Sequence, residues 1–456
     1  MKTRILSLAL ALAAIGGAQA QTSSLLLGSD FVPQRTYLNP SFFPETHRVY
    51  VALPGLNFVG NGMVAFNDIL RYDKEQSSNV LDMNKLIEAT RDGHHFFTDA
   101  DMNLFGFGVR LTPKWFFTFS SEIRGHIVMG LPQELVGLLE EGNGGRYGDP
   151  RLAASNEGFL HATAYTQLAL GLGYEPLPGL KFGLRAKKLR GIMDANAADL
   201  YLGYVTNEHG LPSPDLMYRM RLCLPFKHDS AGFHPRYLHL PKGNRGFAFD
   251  LGAAYTAGKW DFSAAVLDLG GKVKWKNDIY MSAPKLDSTT TGGVGDSLAA
   301  AWGMDSNGVA EPYTTKMPTR FNLGIGYNVL PSLKLGLAFQ GEVDKTLTNY
   351  DGSVAQTLFY YNATLMANYK VKEWLELSLG NSIVSYGSGV RAFNLSYGAT
   401  VTVARTIQLY VLIDHLNHTH LLEATHANVY YGLNILAGKG TQRRMELSQN
   451  GQQYAL

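Results

Sequence analysis

The sequence predicts an all-β protein, an antiparallel transmembrane barrel of about fourteen strands (twelve to sixteen), and three observations predict it. Segments of alternating apolar and polar or small residues recur along the chain; tight turns alternate with long polar connections; and Trp and Tyr gather beside the tight turns. The 456 residues include 49 Gly, 24 Tyr and 23 Phe, a composition rich in aromatics and unlike a disordered chain. Mean hydropathy is −0.08, and no run after residue 20 nears the roughly 18 apolar residues of a membrane helix. A helical membrane protein is thereby excluded.

At the N-terminus, Lys2 and Arg4 precede the apolar run Ile5 to Ile15, and Ala18-Gln19-Ala20 supplies small residues before Gln21. Residues 1–20 therefore read as a removable signal peptide. Without Lys2 and Arg4, the 40 Lys+Arg and 38 Asp+Glu balance at zero, which argues against a nucleic-acid partner. The single cysteine, Cys223, permits no internal disulfide, and no cysteine stands at the cleavage site to carry a lipid.

Residues 21–47 are expected to form a plug or hatch in the barrel mouth. Pro33, Pro40 and Pro44 exclude a helix or central strand there, and Phe31, Tyr37, Phe42 and Phe43 are too apolar to leave in water. An exposed linker is the alternative.

The barrel is expected over 48–437, with its first strand near Arg48 to Phe58 and its last near Asn428 to Leu436. Alternation is clearest where Phe321, Leu323, Ile325 and Tyr327 interleave with Asn322, Gly324 and Gly326, and where Leu333, Leu335, Leu337 and Phe339 interleave with Lys334, Gly336, Ala338 and Gln340. The apolar set faces lipid and the other faces the lumen. Tight turns are expected around Pro113, Glu175 to Gly179, Ala257-Gly258, Val329 to Pro331, Lys370-Val371 and Ala404-Arg405; long loops span 132–157, 191–244, 271–318, 343–356, 385–390 and 417–427. An even strand number puts both termini on the short-turn, periplasmic side, and 438–456 reads as a polar periplasmic tail. Tyr174, Tyr255, Tyr327 and Tyr369 close strands, and Trp115, Trp260 and Trp374 open them, as an aromatic girdle at the periplasmic interface. Two hairpins share the pattern G-x-G-Y-x-x-L-P-x-L-K-x-G-L, at Gly171 to Leu184 and Gly324 to Leu337. Their glycines fall on the luminal face and leave room inside.

The Asn39-Pro40-Ser41-Phe42-Phe43-Pro44 run, Gly60-Asn61-Gly62 with Phe66-Asn67-Asp68, and the Gly-x-Gly-Tyr turns resemble uncharacterised outer-membrane barrels of Bacteroidota related to FadL-type and PorV/PorP-type proteins. The FadL-type resemblance implies fourteen strands, a luminal N-terminal hatch and passage of hydrophobic molecules. The PorV/PorP-type resemblance implies service to secretion or gliding machinery. It carries no ligand-site residue over to this chain.

Candidate chemistry is sparse. His415, His418 and His420, with His426 close by, could hold a transition metal if their loop folded back; a solvated loop is the plainer reading, and no cofactor is expected. Gly295-Asp296-Ser297-Leu298 lacks the strand-turn-helix setting of a hydrolase nucleophile, so no enzyme is expected. Asp229-Ser230-Ala231, Asp287-Ser288-Thr289 and Asp296-Ser297-Leu298 match a short glycosylation sequon of external loops. Two functions stay open: an outer-membrane barrel, surrounded by lipid, that passes a small hydrophobic ligand; or a sealed barrel whose external loops and amphipathic stretches Asp82 to Thr90 and Pro132 to Glu140 dock a protein partner.

Overall fold

The computed structural model describes residues 23–42, 47–61, 70–73, 78–81, 95–130, 153–155, 158–206, 212–229, 232–238, 242–277, 280–282, 285–286, 308–309, 311–349, 351–385, 390–416 and 426–439. Fourteen strands close into an antiparallel barrel. The first, β1, comes in two pieces, His47–Ala52 and Gly55–Asn61. It is followed by β2 (His95–Arg110), β3 (Trp115–Gly130), β4 (Leu160–Leu177), β5 (Leu180–Thr206), β6 (Arg245–Ala257) and β7 (Trp260–Trp275). The second half holds β8 (Thr319–Leu330), β9 (Leu333–Asp344), β10 (Leu358–Lys372), β11 (Leu375–Ser385), β12 (Val390–Val403), β13 (Ile407–Leu416) and β14 (His426–Lys439). Each strand pairs with its sequence neighbours, and β14 closes the ring on both pieces of β1, with Val49 opposite Ala437 and Leu56 opposite Tyr431. Closure removes every unpaired barrel edge.

Pro54, which has no N–H to donate, explains the break in β1. The Leu53 N–H still reaches the Leu433 carbonyl at 2.9 Å, and the Asn103 side chain donates to the Leu53 carbonyl at 3.1 Å.

Alternation sets the facing. Leu335 and Leu337 are 43% and 50% exposed on the outer wall, while their neighbours Lys334 and Ala338 are buried inside. Leu170, Leu184, Leu251, Leu323, Leu379 and Val411 continue the exposed apolar belt. Such a belt on a closed barrel meets lipid, because water would otherwise cover it. No helix among the described residues is long and apolar enough to cross a membrane.

Three expectations about the connections need correction. The turn expected at Lys370-Val371 lies at Glu373-Trp374, because β10 runs on to Lys372. Trp374 thus sits in the turn and does not open β11. Residues 191–206, expected as loop, extend β5, which pairs with a further strand, Pro212–Cys223, beyond the barrel wall. Likewise the 271–318 stretch begins as strand: Lys272 to Trp275 pair with Lys316 to Tyr313.

Candidate site in the barrel lumen

Residues 23–42 lie inside the lumen, in the half next to the short turns. The segment opens with a single turn of helix, α1 (Leu25–Gly28), and includes a 3-10 turn over Pro33–Tyr37. Helix was not expected beside these prolines, but Pro33 occupies the first position of the turn, where its missing N–H costs nothing. Leu25, Leu26, Val32, Leu38 and Phe42 pack on Met366, Tyr410, Leu412 and Tyr430 of the wall.

Polar contacts fix the plug all round the ring. Ser24 Oγ donates to Gln340 Oε1 at 2.7 Å, Gln408 Nε2 to the Phe31 carbonyl at 3.0 Å, Asn434 Nδ2 to Gln34 Oε1 at 2.9 Å, and Asn322 Nδ2 to the Leu38 carbonyl at 2.8 Å. Arg35 pairs with Asp30 and lies 3.9 Å from the Phe42 ring centre. Lys334, expected from the alternation to face the lumen, bridges Asp30 at 3.2 Å and Asp261 at 3.1 Å.

Asn39 docks directly on the strand backbone of the wall. Its Nδ2 donates to the Ala253 and Ala264 carbonyls at 3.1 and 3.2 Å, and its Oδ1 accepts from Ser41 N at 2.9 Å and Ser41 Oγ at 2.6 Å. Glycine is required opposite: a Cβ on Gly183 would overlap the Pro40 carbonyl, and one on Gly252 would overlap Asn39 Oδ1. In the first copy of the repeated hairpin the room at Gly183 is thus filled by Pro40, and that at Gly171 by Thr118 and Arg185 of the wall. Beside Gly324, Gly326 and Gly336 of the second copy, a cavity of about 40 Å³ remains against Leu27 and Phe42, enough for about one water.

Outside this same stretch of wall lies an apolar groove of about 870 Å³. Its floor is built from small residues of β5–β7, Gly183, Gly252, Ala253, Ala264 and Ala265, and its sides from Leu172, Phe182, Phe321 and Phe339. Plug and groove are separated there by one layer of backbone.

Above the plug, a layer of ion pairs crosses the lumen. Lys187 Nζ lies 2.6 Å from both Asp250 and Asp268, Arg124 3.2 Å from Asp268, Arg320 3.1 Å from Glu342, and Arg185 3.4 Å from Asp250 and from Glu122. All are buried. Desolvation makes such charges costly alone, so their mutual pairing is what lets the layer exist. A third closure follows: the connection after β9 dips inward, placing Leu347 among Val128, Leu358, Tyr360 and Val384. His126 anchors its root, 3.0 Å from Asp344 and 3.3 Å from Thr346, and Asn196 Nδ2 donates to Thr348 Oγ1 at 2.9 Å.

The residues singled out from sequence fall as follows. Tyr37 and Phe42 are buried in the lumen; Phe31 is only half-buried, because it sits at the short-turn mouth; Phe43 lies outside the described residues. Trp115 stacks on Tyr174 at 4.3 Å and Trp260 meets Tyr327 at 4.7 Å, both at the short-turn rim, where Tyr255, Tyr369 and Trp374 are also exposed. His415, expected in a surface loop, faces the lumen instead, with Nδ1 2.7 Å from Ser382 Oγ and Nε2 3.3 Å from Ser24 Oγ. His418, His420, the Gly295 to Leu298 motif, Ser230, Ser288, Asp82 to Thr90 and Pro132 to Glu140 lie outside the described residues. Among the described residues no group of three or more His, Cys, Asp or Glu is placed to hold a metal.

Sequence reasoning missed the ionic layer, although a signal existed. Asp99-x-Asp101, Glu122-x-Arg124-x-His126 and Arg185-x-Lys187 put charges at every second position of otherwise apolar strands. The same period of two that marked the lipid face marked them as luminal.

In solved structures the fold resembles a Pseudomonas aeruginosa FadL homologue (12% identity, TM-score 0.49, covering 92% of this chain and 98% of that one). It also resembles the Ralstonia pickettii toluene transporter TbuX (10%, 0.42, 90% and 94%) and the Pseudomonas putida toluene transporter TodX (10%, 0.42, 92% and 94%). Comparison with curated protein sequences finds no significant match. The model of the family of unknown function DUF5723 matches residues 40–414, a span from the plug's Pro40 to Asp414 of β13, and the chain belongs to that family.

Proposed function

We propose that this barrel sits in a bacterial outer membrane with its short turns toward the periplasm, and passes a small hydrophobic molecule from the long-loop side into the bilayer. The reading rests on one observation: among larger apolar residues, β5–β7 present Gly183, Gly252, Ala253, Ala264 and Ala265 at the groove floor, with the non-covalently held Asn39-Pro40 turn inside. An apolar solute gains by leaving water for such a groove. Withdrawal of Asn39-Pro40 uncovers the inner face of this small-residue patch; Gly252 remains paired with Gly183 and Ala265, so passage requires these pairs to part locally. A single N-terminal obstruction was expected from sequence; the ionic layer and the inward loop add two more, and a solute entering from the long-loop side has to pass both before it reaches the plug.

The three closures also favour a second reading, a sealed barrel that docks a partner protein. Uptake of the apolar dye N-phenylnaphthylamine by intact cells expressing the protein separates the two. Transport predicts faster uptake than in cells carrying empty vector. Equal uptake, with a stoichiometric protein co-purifying from native membranes, supports docking.

A further inference from the structure

Asp414 takes no part in the closures above, yet it is the one buried carboxylate among the described residues whose two oxygens both lack a hydrogen-bond partner. Its side chain is 0% exposed. An ionised carboxylate in that condition is strongly disfavoured unless a positive charge joins it. Strand alternation would turn only one of two successive residues inward, but His415 has φ of 59°, and this kink directs both Asp414 and His415 into the lumen.

The height of the site in the barrel identifies what it faces. Leu412, two residues nearer the short turns, and Tyr430 of the adjacent strand pack with Leu25 and Leu26 of the plug. Ser24 Oγ lies 3.3 Å from His415 Nε2. Asp414 is therefore level with the upstream end of the plug. There the Ser23 hydroxyl, 0% exposed, has no partner, and on β1, two strands round, neither does Asn57 Oδ1. Asp414, Ser23 and Asn57 together leave four buried side-chain oxygens without a hydrogen-bond partner. His415, held by Ser382 and Ser24, is the titratable neighbour.

We propose that Asp414 binds a primary ammonium group, with Ser23 and Asn57 supplying further oxygens. One carboxylate calls for one positive charge, and an ammonium brings three N–H donors to these unpartnered oxygens. Two sources share this chemistry. Cleavage after Ala20 creates an amino group two residues before Ser23, and residues 21 and 22 lie outside the described residues. A free amine from solution is the other. This inference does not depend on the transport reading.

The experiment uses the processed full-length protein in detergent. The pH dependence of amino-terminal reductive methylation, followed by peptide mass spectrometry, is compared for wild type, Asp414→Asn and wild type unfolded in urea. If the terminus occupies the site, the wild-type midpoint lies above both references by about one unit, equivalent to about tenfold slower labelling at a fixed pH below it. If the terminus is blocked by cyclisation or labels like the unfolded chain, methylammonium is added: a rise in thermal midpoint for wild type, absent for Asp414→Asn and absent with choline, assigns the site to a free amine. The urea comparison keeps the first arm decisive should Asp414→Asn fail to fold. Unshifted labelling together with no methylammonium response overturns the proposal, and a protonated-carboxyl infrared band lost in Asp414→Asn would then show that Asp414 is neutral.

Discussion

Asn39→Ala is expected to loosen the plug while leaving the barrel intact. The substitution removes four hydrogen bonds: two from Nδ2 to the Ala253 and Ala264 carbonyls, and two accepted by Oδ1 from Ser41 N and Oγ. At a net value of about 0.5–1.5 kcal/mol each, the loss is on the order of 2–6 kcal/mol. The lower half of that range applies, because the two strand carbonyls keep their ladder partners while the buried Ser41 N–H is left bare; about 3 kcal/mol is the working figure. That corresponds to roughly a hundredfold rise in the undocked population. Hydrogen exchange of the intact protein reads it directly: peptides covering 31–42 should exchange about two decades faster, with peptides from β9–β11 unchanged. Equal plug protection in both proteins would show that Asn39 is not the anchor, and the reading of Asn39-Pro40 as the inner cover of the small-residue patch would fail with it. Faster exchange throughout the barrel would show instead that the plug is part of the folding core.

Leu335→Arg should cost about 2–4 kcal/mol in a refolding titration if the position lies at the bilayer midplane, since Leu335 is exposed on the lipid face; unchanged stability would reverse the facing. Lys334→Ala should cost about 1–3 kcal/mol, because it leaves Asp30 and Asp261 without their shared cation; a silent variant would mean that the bridge contributes nothing. Lys187→Met should destabilise by about 3–5 kcal/mol, leaving Asp250 and Asp268 facing each other buried. A more stable Lys187→Met protein would show the ionic layer to be replaceable packing.

The lipid face was legible in the sequence because it obeys a strict period of two over many strands, as at Phe321 to Tyr327 and Leu333 to Phe339. The strand count followed from turn chemistry at Pro113, Gly258, Pro331 and Ala404. Harder to read were places where alternation continues past the bilayer, as in residues 191–206, since the pattern does not say where lipid ends. The plug's burial was readable from aromatics such as Tyr37 and Phe42, but its docking was not: Asn39 meets Gly252 across 213 positions of sequence, a contact made by closure of the whole barrel. His415 was misplaced for a similar reason. Its inward turn depends on a positive φ that a histidine rarely adopts.

If the small-residue patch of the wall passes an apolar molecule, variants on its two sides change uptake in opposite directions. Ala264 is exposed at the groove floor, so Ala264→Trp fills the outer side without touching the plug, whereas Asn39→Ala loosens the inner side. Uptake of N-phenylnaphthylamine by cells with equal surface levels of each protein should fall to the empty-vector rate for Ala264→Trp and rise above wild type for Asn39→Ala. Uptake that is the same for wild type, both variants and empty vector would contradict passage through the patch.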